Sequence, residues 1–353
     1  MKRISAVLLL SLLASSLFAA FNDIYDDGLR YYYPELNEHR QALYRLLYDA
    51  VDSEKEELRF DEDYTDKEVE TIFTLVLDDS PELFHVANRY TLTYTRGKSR
   101  IDSIQLSYNY TGRERKDLQR RILSKAEELK VKGRKDFAKE LRIHDGVASA
   151  ITYRIDSTPQ SHTLVGALVN GSAVCDGYSK AFCLVARLSG LRCGIVTGTL
   201  LDDDGIWQDH AWNIVKVNGV WTYVDVTTDD QDGYISRAYF NLDQKRLDRD
   251  HILKSPAAFE VTDEFVYYFY LTGLIVPSNE KEMRKIFLNE LNILNRKGVA
   301  VELAFESRRA LEFFLSRYQS WIDEYNRDRG ERGFYGRYNY SVNDRQYTIR
   351  ISQ

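Results

Sequence analysis

The chain has 353 residues, with 48 Lys and Arg against 54 Asp and Glu and a formal net charge of −6. That length suggests two or three domains, and a hydrophobic share of 44% supplies a core and excludes wholesale disorder. The mild acidity argues against a dedicated nucleic-acid binder, and three cysteines in so long a chain exclude a disulfide scaffold.

Lys2 and Arg3 precede an apolar stretch from Ala6 to Phe18, and Ala19 and Ala20 supply small residues for cleavage. Residues 1–20 read as a secretory signal peptide; an uncleaved anchor over Ile4 to Phe21 is the alternative. The expected location is secreted or periplasmic, with no stable membrane insertion after cleavage. In an oxidising compartment an odd cysteine count leaves at least one thiol free or reactive.

An N-terminal α/β extension is expected over 21–115. Asn37 to Asp52 and Asp66 to Leu77 have helical spacing, and Pro81 breaks the chain. Tyr90 to Tyr94 and Ile101 to Tyr110 alternate as strands do, with Gly97 as the turn. The next domain is expected over 116–272. It opens with a charged helical pattern from Lys116 to Ala150, then a second helical repeat over 165–190, then strands over 191–227. A small C-terminal α/β unit is expected over 273–353, with helices Glu282 to Asn295 and Arg308 to Tyr325 and strand-like runs Val299 to Phe305 and Tyr338 to Ile351.

Asn170 and Gly171 make a turn, Ser172 is the expected N-cap, and a helix follows to Gly190. Cys175 therefore sits in the first turn of a helix, where free backbone N–H groups and the positive dipole end favour a thiolate. Those groups also suit a developing oxyanion. Cys183, mid-helix, and Cys193, in a strand, read as small buried hydrophobes; spacing does not establish a bond between them.

Two alternating runs, Asp209 to Val217 and Val220 to Asp225, flank Asn218-Gly219. This predicts a hairpin with a type I′ turn. Val217 then faces Val220, Trp212 faces Asp225 and His210 faces Thr227. His210 and Asp225 share one sheet face as diagonal neighbours. A thiol, a base to take its proton and a carboxylate to hold the base suit nucleophilic catalysis.

Val174-Cys-Asp-Gly-Tyr-Ser-Lys-Ala, Gly194-Ile-Val-Thr-Gly, His210-Ala-Trp-Asn, and Trp221 with Val224-Asp-Val-Thr resemble the bacterial transglutaminase-like superfamily. The resemblance covers about residues 140–255. It implies an α+β, papain-like core in which Cys175 is the nucleophile, His210 the base and then the acid, and Asp225 the orienter. Ser179 stands where Ala is more usual. For the second oxyanion donor Tyr153, Gln160, His162 and Asn170 stay open.

The expectation is an exported thiol enzyme acting on a peptide or protein substrate through a thioester, with hydrolysis ahead of cross-linking. It needs no cofactor, no metal and no nucleic acid. The rival expectation is a non-catalytic binding or cell-envelope assembly module on the same fold. Asp202 to Asp204, and Asp229, Asp230 and Asp232, do not match a calcium loop. The 25 tyrosines are expected to serve packing. His39, His85, His144 and His251 default to structural roles.

Overall fold

The computed structural model describes residues 27–95, 101–133, 135–154, 158–255, 261, 267–330, 333–334 and 337–353. The expected signal peptide and the Gly97 turn lie outside them. The protein is α+β and divides into two units. One ends at Asp230 and regains the chain from Leu253; the other holds Gln231–Ile252 and, from Val261, the chain to Gln353.

In the first unit, α1 (Glu38–Asp52) starts at Asn37, whose side chain accepts from the Arg40 N–H. A three-residue strand, β1 (Glu57–Arg59), follows. Helix α2 (Asp66–Asp79) opens with a capping box in which Thr65 and Glu68 satisfy each other's backbone N–H. Its buried residues Val69, Ile72, Phe73 and Val76 recur at helical spacing, so one stripe faces the core. Strands β2 (Val86–Tyr94) and β3 (Ile101–Tyr108) complete an antiparallel sheet in the order β1-β3-β2.

The long charged helix expected from Lys116 is two helices, α3 (Gly112–Leu129) and α4 (Asp136–Ala150). The chain turns extended at Lys130 and left-handed at Gly133, which stops the first helix. After a π-helical turn (Val165–Asn170) that Gly171 ends at φ +68°, α5 (Cys175–Leu188) begins. Gly177 to Ser179 and Ala181 to Leu188 are all buried. A helix enclosed on nearly every side belongs to the interior of its unit.

Strands β4 (Cys193–Leu201), β5 (Trp207–Val217) and β6 (Val220–Val224) run antiparallel in chain order. Asn218 and Gly219 adopt φ of 51° and 90°, and Val217 pairs with Val220, as a type I′ turn requires. The expected pairing of His210 with Thr227 does not form. β6 stops at Val224, and Asp225 becomes the N-cap of a one-turn helix, α6 (Val226–Asp229), accepting from the Thr228 N–H.

The C-terminal unit packs α7 (Glu280–Lys297) and α8 (Arg308–Arg329) around β7 (Val301–Phe305). The run expected as one strand from Tyr338 is a hairpin, β8 (Asn339–Asn343) and β9 (Thr348–Ser352). Asn343 causes the break: its side-chain oxygen accepts from the Arg345 and Gln346 N–H groups and closes a turn. Phe287, Phe314, Trp321 and Ile349 lie in this unit's own buried core.

Candidate active site

Cys175 is the first residue of α5, half-buried, with Val174 as the N-cap and no side-chain cap. The expected cap, Ser172, lies instead in a two-residue strand, Ser172–Ala173, parallel to Thr152–Tyr153. That pairing holds the segment extended up to the helix start. Glycine lets the helix start pack close: a Cβ on Gly177 would lie 2.5 Å from the Ala173 Cβ and 2.8 Å from the Ser161 carbonyl oxygen.

His210 lies on β5 opposite Gly198. Its Nε2 is 2.8 Å from the Asp225 Oδ2, with the two side chains 8% and 1% exposed. The Cys175 side chain lies within electrostatic reach of the same ring. Burial opposes a charge on His210, but Asp225 and Cys175 outweigh it and push its pKa up to about 10. The ring is therefore an imidazolium at neutral pH. Trp212 stacks on the ring at 5.9 Å and 20°. Asp225 is held by the Thr228 N–H at 3.1 Å and by the Thr228 hydroxyl.

Residues 124–226 match the family model described as Transglutaminase-like superfamily. This segment is a transglutaminase-like core.

Solved structures resemble the chain at low identity. A protein from Cytophaga hutchinsonii, described provisionally as a cysteine protease, shares 17% identity over 33% of this chain and 40% of its own, with a TM-score of 0.26. A TGase shares 15% over 48% and 50%, at 0.25. A Parabacteroides distasonis protein, described provisionally as a protease, shares 12% over 39% and 35%, at 0.23. Each match thus spans half or less of the other chain, and the scores are too low to add to the family match. No curated protein matches.

Within the transglutaminase-like core, α5 and β5 are tied together beside the site. Asn213, buried on β5, donates to the carbonyls of Ser179 at 3.0 Å and Gly194 at 3.1 Å. The Ser179 hydroxyl lies 2.5 Å from the Cys175 carbonyl oxygen and 3.1 Å from that of Ala211. The departure Ser179 thus bridges the helix of Cys175 to the strand of His210. Nothing in the sequence marked Asn213 or Ser179 for that role; an alternating polar residue on a strand reads as solvent-facing.

The four oxyanion candidates lie on different elements. His162 is paired through Nδ1 with Asp176 at 3.0 Å, and Asn170 closes the π-helical turn. Gln160 sits in a short 3-10 helix, Pro159–His162. The Tyr153 phenol pKa is raised by burial and by the charges of Cys175 and Asp225, which puts this side chain beside the site. Cys183 and Cys193 are buried free thiols. Among the acidic loop residues, Asp202 accepts from the Ile206 N–H and Gln208, Asp229 pairs with His144, and Asp230 accepts from the Tyr178 hydroxyl. His85 is buried with Nε2 3.0 Å from the Val51 carbonyl oxygen, and His39 is exposed. Among the described residues no helix is long and apolar enough to cross a membrane.

Proposed function

We propose that this protein is a thiol enzyme acting on peptide or protein amides, with Cys175 as nucleophile, His210 as proton carrier and Asp225 as the group that holds the imidazole. The observation that carries this reading is that His210 bonds a buried carboxylate and lies within electrostatic reach of the Cys175 thiol. With the carboxylate holding Nε2, the ring keeps the proton that the thiol gives up. Cys175 Sγ attacks the amide carbonyl carbon, and the C=O electron pair moves to oxygen. The Cys175 N–H is among the first-turn amides that lack an intrahelical acceptor, so it can donate to that oxygen. Tyr153, within electrostatic reach of Cys175 and Asp225, is the side chain to test as the second donor.

When the tetrahedral centre collapses, the C–N bond breaks and His210 gives its proton to the leaving amine. A thioester remains on Cys175. Water then attacks it, His210 takes the water proton, and the acid and the thiol are released. A substrate amine in place of water would give cross-linking; hydrolysis leads on general grounds. The signal-peptide pattern at residues 1–20 supports export, so an extracellular protein pool is the substrate source to try first.

Iodoacetamide labelling tests the assignment. Cys175 is expected to be alkylated near neutral pH much faster than the buried Cys183 and Cys193, and His210→Ala is expected to slow it by roughly 10²-fold, the lower range of general-base effects. Capture of a thioester from an extracellular protein pool, read by mass spectrometry, then names the acyl group. Equal and slow labelling of all three cysteines, or capture that survives Cys175→Ala, removes the nucleophile and with it the proposal.

A further inference from the structure

A cavity of about 760 Å³ opens in the first unit beside the start of α5. That volume lies in the range of ligand pockets and exceeds one side chain. One wall comes from the N-terminal extension: Phe73 and Leu77 of α2, Phe84, and Tyr90 of β2. The opposite wall includes Asp176 and Lys180 of α5, together with His162. Asp176 follows Cys175 directly, so its Cα lies about 3.8 Å from that of the nucleophile across one trans peptide. The extension and the core therefore share a pocket whose lining includes the residue next to Cys175.

Asp78, the penultimate residue of α2, lines this cavity. Its Oδ2 is shut off from water and has no hydrogen-bond partner. A buried carboxyl oxygen without a partner costs stability, so the fold does not need it there. Burial pushes its pKa up to about 8; Lys180 opposes the shift, and Asp176 and Asp79 add to it. By contrast, Asp176 is satisfied: burial raises its pKa, but Lys180, His162 and His210 bring it down to about 2. Lys180 in turn donates to the His162 carbonyl at 2.8 Å.

With Asp78 protonated, the lining still carries both signs: Asp176 with Lys180, and an exposed Arg89. A charged ligand of either sign meets a like charge there. A neutral group that both donates and accepts meets none, and it matches a carboxyl that carries its proton. The aromatic wall suits the apolar stem of such a side chain.

We propose that this cavity is a substrate subsite in which Asp78 reads an uncharged donor–acceptor side chain, a hydroxyl or a carboxamide, of a peptide segment flanking the attacked amide. This assignment of Asp78 as a specificity-determining residue rests on the thiol-enzyme reading above. It also gives the N-terminal extension a task, since that extension supplies Asp78 and the apolar wall.

Binding to Cys175→Ala protein, which cannot turn over, tests the subsite apart from the chemistry. The probe is a fluorescent peptide library with one position varied among Ser, Thr, Asn, Gln, Leu, Lys and Glu. Peptides with the four neutral polar residues are expected to bind roughly tenfold tighter than the others. Asp78→Asn, which keeps a donor and an acceptor, is expected to retain the preference, and Asp78→Leu to abolish it. Binding to the Asp78 protein should weaken as pH rises through about 8, and binding to Asp78→Asn should not. Preference for Lys or for Glu, no preference, or a preference that survives Asp78→Leu overturns the proposal. In the Cys175-containing parent protein, iodoacetamide labelling reports the thiol by itself. A failure confined to that labelling at Cys175 counts against the thiol chemistry instead.

Discussion

His210 carries the clearest consequence of its surroundings. Its pKa is raised from an ordinary 6.5 to about 10 because Asp225 and Cys175 outweigh burial. The folded state therefore holds a proton that the unfolded chain releases. That contribution to stability is fully present below about pH 6.5 and is lost as pH rises toward about 10. Thermal melts across that range should show a falling transition temperature in the parent protein. His210→Ala should flatten the fall, and Asp225→Asn should reduce it, because each removes part of the cause. A slope unchanged in both variants would show that other groups carry the alkaline loss. The pairing behind this was legible in the sequence: Asn218-Gly219 sets the register, and the register puts position 210 and position 225 on one face. The route was not. Asp225 reaches the imidazole as the N-cap of α6, because the strand ends one residue before it and Thr228 offers its N–H. Cap choice depends on where a strand stops, and one strand's periodicity does not reveal that.

At the scale of elements, the start of α5 depends on close packing that the sequence showed only as small residues. Gly177 has no room for a side chain against Ala173 and the Ser161 carbonyl. The backbone carbonyl cannot swing away as a flexible side chain would. Gly177→Ala is expected to cost roughly 1–3 kcal/mol in stability through overpacking, and to slow Cys175 labelling because the helix start must shift. Gly190, with φ +81° and nothing within 4 Å of its would-be Cβ, is the comparison. Gly190→Ala should cost about 1 kcal/mol through backbone strain alone and leave labelling unchanged. Equal labelling in the two variants would separate thiol reactivity from this packing. The two-helix break at Lys130 to Lys135 and the β8–β9 hairpin escaped the pattern reading for a related reason. Gly133 and Asn343 act through left-handed backbone and a side-chain turn, and the apolar period continues across both.

For the unit as a whole, the question is what fixes the N-terminal extension to the transglutaminase-like core, since the proposed subsite needs both. The answer centres on Asp79, the residue after the unpartnered Asp78. Its carboxylate accepts the backbone N–H groups of Tyr31 at 2.9 Å, Tyr32 at 3.0 Å and Tyr33 at 2.9 Å. Arg187, buried on α5, pairs with it at 3.3 Å and also bonds its carbonyl. Two of these tyrosines then engage the core sheet. Tyr31 packs edge-on against Trp221 at 4.9 Å and over Gly194, where a Cβ would come within 2.5 Å, and the Tyr32 hydroxyl donates to the Ile195 carbonyl at 3.0 Å. The tyrosine run was readable as packing, but its partner 46 to 48 residues away was not, because nothing local distinguishes Asp79 from the solvated acids around it. Removing one member of a buried ion pair leaves the other uncompensated, at a cost of about 3–5 kcal/mol. Asp79→Ala is therefore expected to destabilise strongly, to expose the chain around Tyr31 to Tyr33 to limited proteolysis, and to weaken binding at the subsite before it alters Cys175. Asp79→Asn, which keeps one acceptor oxygen for the backbone N–H groups but loses the other and the charge facing Arg187, should fall between the two. An Asp79→Ala protein that melts like the parent and resists cleavage at the tyrosines would show that the extension is held by its apolar contacts alone.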